Sequence, residues 1–210
     1  MEKELAVLIS KLQGIAQTGK EYAKDPYDLE RYEELTQITR QLIQLLYSTM
    51  PEEQLTIYLS EDDGYATPKV DVRAVVFDEQ DRLLFVQEKS DSSWALPGGW
   101  ADIGYSPTEI AEKETFEEAG IYVKADRLIA LRDKAKHDYP PALIYTYKLF
   151  ISCLFIEGEL QAGLETSDAR FFSRQEIQML ALSEERNILG DIELLFEDHF
   201  SSAKGKVICD

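Results

Sequence analysis

Cysteine, histidine and positive charge are all scarce in this sequence. Of its 210 residues, two are cysteine and two are histidine. Cys153 sits in the apolar run 149–156 and Cys209 in the closing residues, which argues against a bridge between them and excludes a disulfide framework or a cysteine-rich metal finger. His137 has no second histidine at ligand spacing, so it reads as a surface residue rather than part of a histidine-held metal site. Lys and Arg number 22 against 40 Asp and Glu, a net charge of −18. A chain this acidic repels a phosphodiester backbone, so long RNA or DNA is not the expected partner. A small anionic substrate held through a cation remains compatible with that charge. No apolar run approaches the roughly 20 residues of a membrane span, and the opening Met1-Glu2-Lys3-Glu4-Leu5 is charged rather than signal-like. A cytoplasmic protein away from the membrane is the expectation.

What the sequence does have is concentrated between Gly99 and Ile121. Ser106-Pro107-Thr108-Glu109 reads as a helix start: a serine cap, proline at the first helical position, and a glutamate able to reach back to the cap. Gly120 reads as the stop. Between them, Glu114, Glu117 and Glu118 are three and four apart and share a helical face. Three like charges there destabilise an isolated helix. A hard divalent cation such as Mg²⁺ or Mn²⁺ reverses that penalty, since oxygen ligands are what it prefers. Ala111, Thr115 and Ala119 are small enough to let the helix lie close against a sheet. Gly98-Gly99 provides a tight turn with backbone groups open beside the carboxylates.

This stretch resembles the signature of the Nudix hydrolases. Gly99, Glu114, Glu117, Glu118, Gly120 and Ile121 match it in register. Tyr105 stands where the pattern has its first glutamate, Lys113 where it has arginine, and Thr115 where it has an aliphatic residue. Lys113 keeps the charge but not the planar fork. Tyr105, just outside the cap, reads as a hydrophobic staple against Glu109-Ile110 rather than a ligand. The likeness extends to 67–75, to 94–102 and to the helices of the N-terminal region, as in a bacterial subgroup with a helical N-terminal domain. It implies an α+β fold, an α/β/α sandwich with a mixed sheet behind a small all-helical domain. It also implies metal-dependent hydrolysis of a nucleoside diphosphate linked to another moiety, CDP-choline-like first and ADP-ribose-like second. Metal ligands would be Glu114, Glu117, Glu118 and the Gly98 carbonyl, with Glu117, Glu118 and the late-loop Glu165 as catalytic residues. Glu165 reads equally as an exposed loop charge.

Substrate contacts are read from residue type. Arg73, a cation in an apolar strand, points to a phosphate or to solvent; Lys89, Arg132 and Lys134 are further candidates. Trp94, Trp100 or Tyr139 would stack on a base or fill the core. Two other readings compete: a nucleotide-sensing regulator that binds without turnover, and an RNA 5′-end pyrophosphohydrolase. The carboxylate trio speaks against the first and the acidic charge against the second.

Periodicity divides the chain at a polar break, 61–64, into a helical domain 1–63, a catalytic domain 64–200 and a mobile tail 201–210 in which Val207-Ile208 is able to dock. Helix 1 follows Leu5, Leu8, Ile9, Leu12 and Ile15, weakened by Gly14 and Gly19; a second runs over 29–48 and a short third follows Pro51. Their apolar stripes call for a partner surface, hence a homodimer. Beyond residue 69 the pattern is strand-like: 70–77 and 83–87 as a hairpin, then 122–133, 144–156 and 168–172, with helices over 173–180 and 184–199.

Overall fold

Asp25 ends one helix-forming stretch and begins the next. In the computed structural model, which describes residues 2–48, 64–202 and 205–210, its side chain accepts the Tyr27 and Asp28 backbone N–H groups and caps the second of two 21-residue helices. These are α1 (Glu2–Tyr22) and α2 (Pro26–Leu46). Gly14 and Gly19 do not weaken α1. A Cβ at Gly19 would sit 2.3 Å from the Tyr32 ring, so glycine there lets α2 close in. Ile9 and Ile43 pack with Leu143, and the Ser10 hydroxyl donates to the Leu143 carbonyl at 2.8 Å. Residues 140–145 therefore belong with 1–68 in one compact unit, while 69–139 and 146–210 form the other. The expected third helix lies outside the described residues.

The second unit is α+β. In chain order it contains β1 (Lys69–Val76), β2 (Leu83–Glu88), β3 (Trp94–Ala95), β4 (Gly98–Trp100), α3 (Pro107–Ala119), β5 (Ile121–Asp133), β6 (Thr146–Gly158), β7 (Thr166–Phe172), a single turn α4 (Arg174–Ile177), α5 (Leu189–Phe200) and β8 (Ile208–Cys209). The strands form a five-stranded sheet, β4-β1-β6-β5-β8, and a three-stranded sheet, β3-β2-β7. The five-stranded sheet is mixed: β1 is parallel to β6 and β5 is parallel to β8.

The expected hairpin of 70–77 with 83–87 does not form. The chain reverses at 78–82, but only the bridge Phe77–Leu83 joins the two runs before they enter different sheets. The cause lies in burial: β1 is covered on both faces. Val72, Ala74 and Val76 pack with Ile110, Ala111 and Ala119 of α3, while Val75 packs with Phe85, Phe150 and the α5 residues Ile192, Leu195 and Phe196. A strand buried on both sides suits a parallel interior position rather than a half-exposed hairpin.

Two helix expectations also shorten. Ser173 and Glu176 form a capping box, yet α4 lasts one turn. Residues 184–188 stay outside α5, and the buried Asn187 uses its side-chain carbonyl to accept the Leu96 N–H at 2.9 Å. The closing residues dock: Ile208 and Cys209 pair with Ala130 and Leu131. Cys153 and Cys209 are both free.

Candidate active site

The acidic helix forms as its caps require. Ser106 and Glu109 make both bonds of the capping box, and Gly120 takes the left-handed conformation with its N–H on the Phe116 carbonyl. Ala111, Thr115 and Ala119 are fully buried against the sheet. That fixes the opposite face of α3 beside the glycine turn. Gly98 has φ +145, and a Cβ there would strike the Val72 carbonyl oxygen at 2.0 Å, so this position tolerates only glycine. Gly99 lies directly beside Glu114: a Cβ there would stand in ordinary contact with its carboxylate, 3.4 Å away.

Glu118 is buried, and its Oε2 accepts the Gly98 backbone N–H at 2.9 Å. Burial pushes its carboxyl up to about 8, against the opposing pull of that N–H and of the Arg73 charge. Burial also raises the Glu114 carboxyl. Glu117 is exposed. Lys113 Nζ lies 3.5 Å from Glu114 and from Glu117, and 3.4 Å from Asp102. Two of the three carboxylates are thus drawn to a lysine rather than to one another. Among the described residues no three acidic, histidine or cysteine side chains are gathered as a ready metal cluster, which differs from the convergence expected from spacing. Coulomb repulsion explains that: like charges on adjacent turns meet only around a cation, and here the ammonium serves. The donor set still fits a hard cation, because it is all oxygen, partly desolvated, and adjoins the Gly98-Gly99 turn.

The other expected site residues fall in three places. Glu165 is exposed on the loop before β7; its carbonyl accepts the Lys89 N–H at 2.9 Å, and Lys89 Nζ donates to the Gly163 and Leu164 carbonyls. Lys89 is therefore an anchor of the loop that carries Glu165. Arg73 reaches neither solvent nor an open cleft. Its guanidinium is buried, bonded to Asp71 and to the Leu96 carbonyl at 3.1 Å, so it braces the approach to the glycine turn. Trp94 is a core residue, edge-on to Phe172 at 4.8 Å, and is not placed to stack on a base. Tyr139 is buried too, with its hydroxyl on Asp191, whereas Trp100 is exposed. Arg132 hydrogen-bonds His137 and lies near Asp191 and Asp210, and Lys134 pairs with Glu185.

Asp71 and Lys148 are the residues that sequence reading missed. They sit opposite each other on parallel β1 and β6, both buried, and the Asp71 carboxylate is bonded to Lys148 on one side and Arg73 on the other. Burial alone would raise the Asp71 carboxyl, but Arg73 and then Lys148 more than offset it. Burial draws Lys148 down to about 8 against the pull of Asp71. A charge inside each of the runs Val70-Asp71-Val72 and Tyr147-Lys148-Leu149 was the available signal; the register that joins them was not.

Comparison with known proteins agrees with this arrangement. Residues 67–191 match the NUDIX domain, and residues 3–58 match a domain described as UDP-X-like, N-terminal oligomerisation domain. A protein of Bacillus subtilis (strain 168), YjhB, provisionally named an ADP-ribose pyrophosphatase, is 41% identical over 187 residues, covering 89% of this chain and 88% of its own. The crystal structure of an ADP-ribose pyrophosphatase from Streptococcus suis 89-1591 is 38% identical with a TM-score of 0.61, covering 69% of this chain and 100% of that one. The crystal structure of a UDP-X diphosphatase is 31% identical, also at a TM-score of 0.61, and covers 99% of this chain and 98% of that one.

Proposed function

The chain belongs to the Nudix hydrolase family as a pyrophosphatase, and from that premise we propose that it hydrolyses the pyrophosphate bond of a nucleoside diphosphate linked to a second moiety. The observation that carries this reading is the Glu118–Gly98 contact, a desolvated carboxyl held against the glycine turn by a backbone N–H. Nudix hydrolases generally need a divalent metal. Glu114, Glu117, Glu118 and the Gly98 carbonyl oxygen are the groups that would hold Mg²⁺, or Mn²⁺ in its place. Such an ion supplies charge neutralisation at the phosphates and a lowered pKa for the attacking water.

The chain's own residues do the rest. Glu118, ionised when a cation is held beside it, would orient the attacking water and accept its proton at a carboxylate oxygen, with the Gly98 N–H fixing the carboxylate in place. Glu165 is the second candidate base, on a loop that Lys89 ties down. Arg73, through the Leu96 carbonyl, keeps the strand leading to Gly98 in place.

ADP-ribose comes first among substrates, because two of the relatives above carry that name. UDP-linked compounds come second and CDP-choline third. A homodimer is part of the same reading, supported by the description of the matched N-terminal domain. The test is phosphate release, coupled to phosphatase, from a panel of ADP-ribose, UDP-linked sugars, CDP-choline and a 5′-triphosphate RNA. Turnover of a nucleoside diphosphate compound supports the reading; turnover of the RNA alone overturns it.

A further inference from the structure

At the outer edge of the five-stranded sheet, β8 sets Asp210 against donors from β5 and the turn after it. The Asp210 carboxylate accepts the Asp133 backbone N–H at 2.6 Å, lies 2.9 Å from His137 Nε2, and is 3.5 Å from Arg132 Nε. Arg132 and His137 are themselves hydrogen-bonded at 2.8 Å, and Asp191 stands 3.6 Å from Arg132 Nη1. One guanidinium nitrogen, an imidazole nitrogen and a backbone N–H converge on this carboxylate, and a cation with N–H donors of this kind is what recognises a phosphate. Desolvation of Asp210 would raise its carboxyl, yet His137, the Asp133 N–H and Arg132 together hold it below the usual range.

This site shares a row with β4, the strand that begins at the Gly98-Gly99 turn. Arg132 pairs with Lys148, Lys148 with Asp71, and Asp71 with Trp100, across β5, β6, β1 and β4. Three strand spacings separate Arg132 from β4, about 14 Å measured across the sheet. A nucleoside diphosphate compound is long enough to cover that distance. The two pairs that hold β8 involve Ile208 and Cys209, not Asp210, so the Asp210 side chain is able to leave while β8 stays docked.

We propose that Arg132, His137 and the Asp133 N–H form a binding site for a phosphate group, and that Asp210 occupies it as an internal competitor. The phosphate is either a group of the substrate remote from the bond cleaved or free inorganic phosphate. The substrate arm rests on the pyrophosphatase reading; the binding site itself does not.

Titration calorimetry of inorganic phosphate into the full-length protein, with no nucleotide present, tests the site directly. Asp210→Asn should bind phosphate roughly tenfold more tightly than wild type, because the competing charge is gone. Asp210→Glu keeps the charge and should bind no better than wild type. Arg132→Gln should lose phosphate binding, with Arg132→Lys used if that variant does not fold. Steady-state rates separate the sources. A lower KM at unchanged kcat in Asp210→Asn identifies a substrate phosphate; an unchanged KM with stronger inhibition by phosphate identifies the free ion. Equal phosphate binding by wild type and Asp210→Asn, together with a lowered melting temperature, would overturn the proposal and leave Asp210 a strap for β8. Absence of turnover on every nucleotide would sink the enzyme reading alone, since calorimetry needs no turnover.

Discussion

Burial drives the Glu118 carboxyl from an ordinary 4.5 up to about 8, which ties its protonation to folding. The folded pKa lies above the unfolded one, so this group's stabilising contribution is complete below about 4.5 and is lost as pH rises through about 8. In chelator-treated protein the melting temperature should therefore fall across that window, and Glu118→Gln should shrink the fall. Added Mg²⁺ requires the ionised carboxylate, so its stabilisation should be larger near pH 8 than near about pH 6. A melting temperature independent of pH over this range, in wild type and variant alike, would contradict the account. Tyr105 is a second residue-scale case. Its half-exposed ring lies under the Lys113 ammonium, 5.8 Å from ring centroid to Nζ. Phenylalanine offers the same face to a cation. Tyr105→Phe should keep most activity, while Tyr105→Ala should loosen Lys113 and reduce it. A loss of turnover in Tyr105→Phe as large as in Glu118→Gln, at unchanged melting temperature, would place the phenol oxygen in the chemistry instead.

Strands β1 and β6 carry the charged elements that the fold cannot easily give up. Removing Lys148 leaves Asp71 buried beside Arg73 alone, and breaking a buried pair typically costs about 3–5 kcal/mol. Lys148→Met should lower stability by that order in a denaturant titration. Adding Asp71→Asn should deepen the loss, because it leaves the buried Arg73 guanidinium without its carboxylate partner, but by less than the sum of the two single losses, since the Asp71–Lys148 pair is counted in both; strictly additive losses would show that the two residues act separately. This pair also marks where sequence reading stops. The acidic helix was legible, because Ser106, Pro107, Glu109 and Gly120 act locally. Strands β5 and β7 were legible from their apolar pattern. The partners of β1 were not: reversal at 78–82 suggests a hairpin, and only burial on both faces sends β1 to β6. In the same way the spacing of Glu114, Glu117 and Glu118 predicts one shared face but not that Lys113 draws two of them away. Arg73 and Trp94 look available in the sequence and are buried in the fold.

At the scale of the whole molecule the helical unit poses the question of assembly. Leu8 and Ile15 of α1 and Ile38 and Leu45 of α2 are exposed, and single exposed apolar residues are ordinary but runs of them on adjacent helices are not. The matched N-terminal domain is described as an oligomerisation domain. Light scattering on the full chain at micromolar concentration should give twice the chain mass; a monomer there would remove the dimer from the account. Among the described residues no helix is long and apolar enough to cross a membrane. The net charge of −18 also bears on substrate choice, since an acidic surface repels a long polyanion and admits a compact one through a cation. The central claim is that the glutamates of α3 hydrolyse a pyrophosphate bond through a divalent cation. Its most direct measurement is turnover of ADP-ribose by wild type and Glu117→Gln, with chelator and then with Mg²⁺ restored. Wild-type activity should vanish with chelator and return with Mg²⁺, while Glu117→Gln should stay at least about a hundredfold slower with its fold intact. Chelator-resistant turnover, or a Glu117→Gln enzyme as fast as wild type, would contradict it.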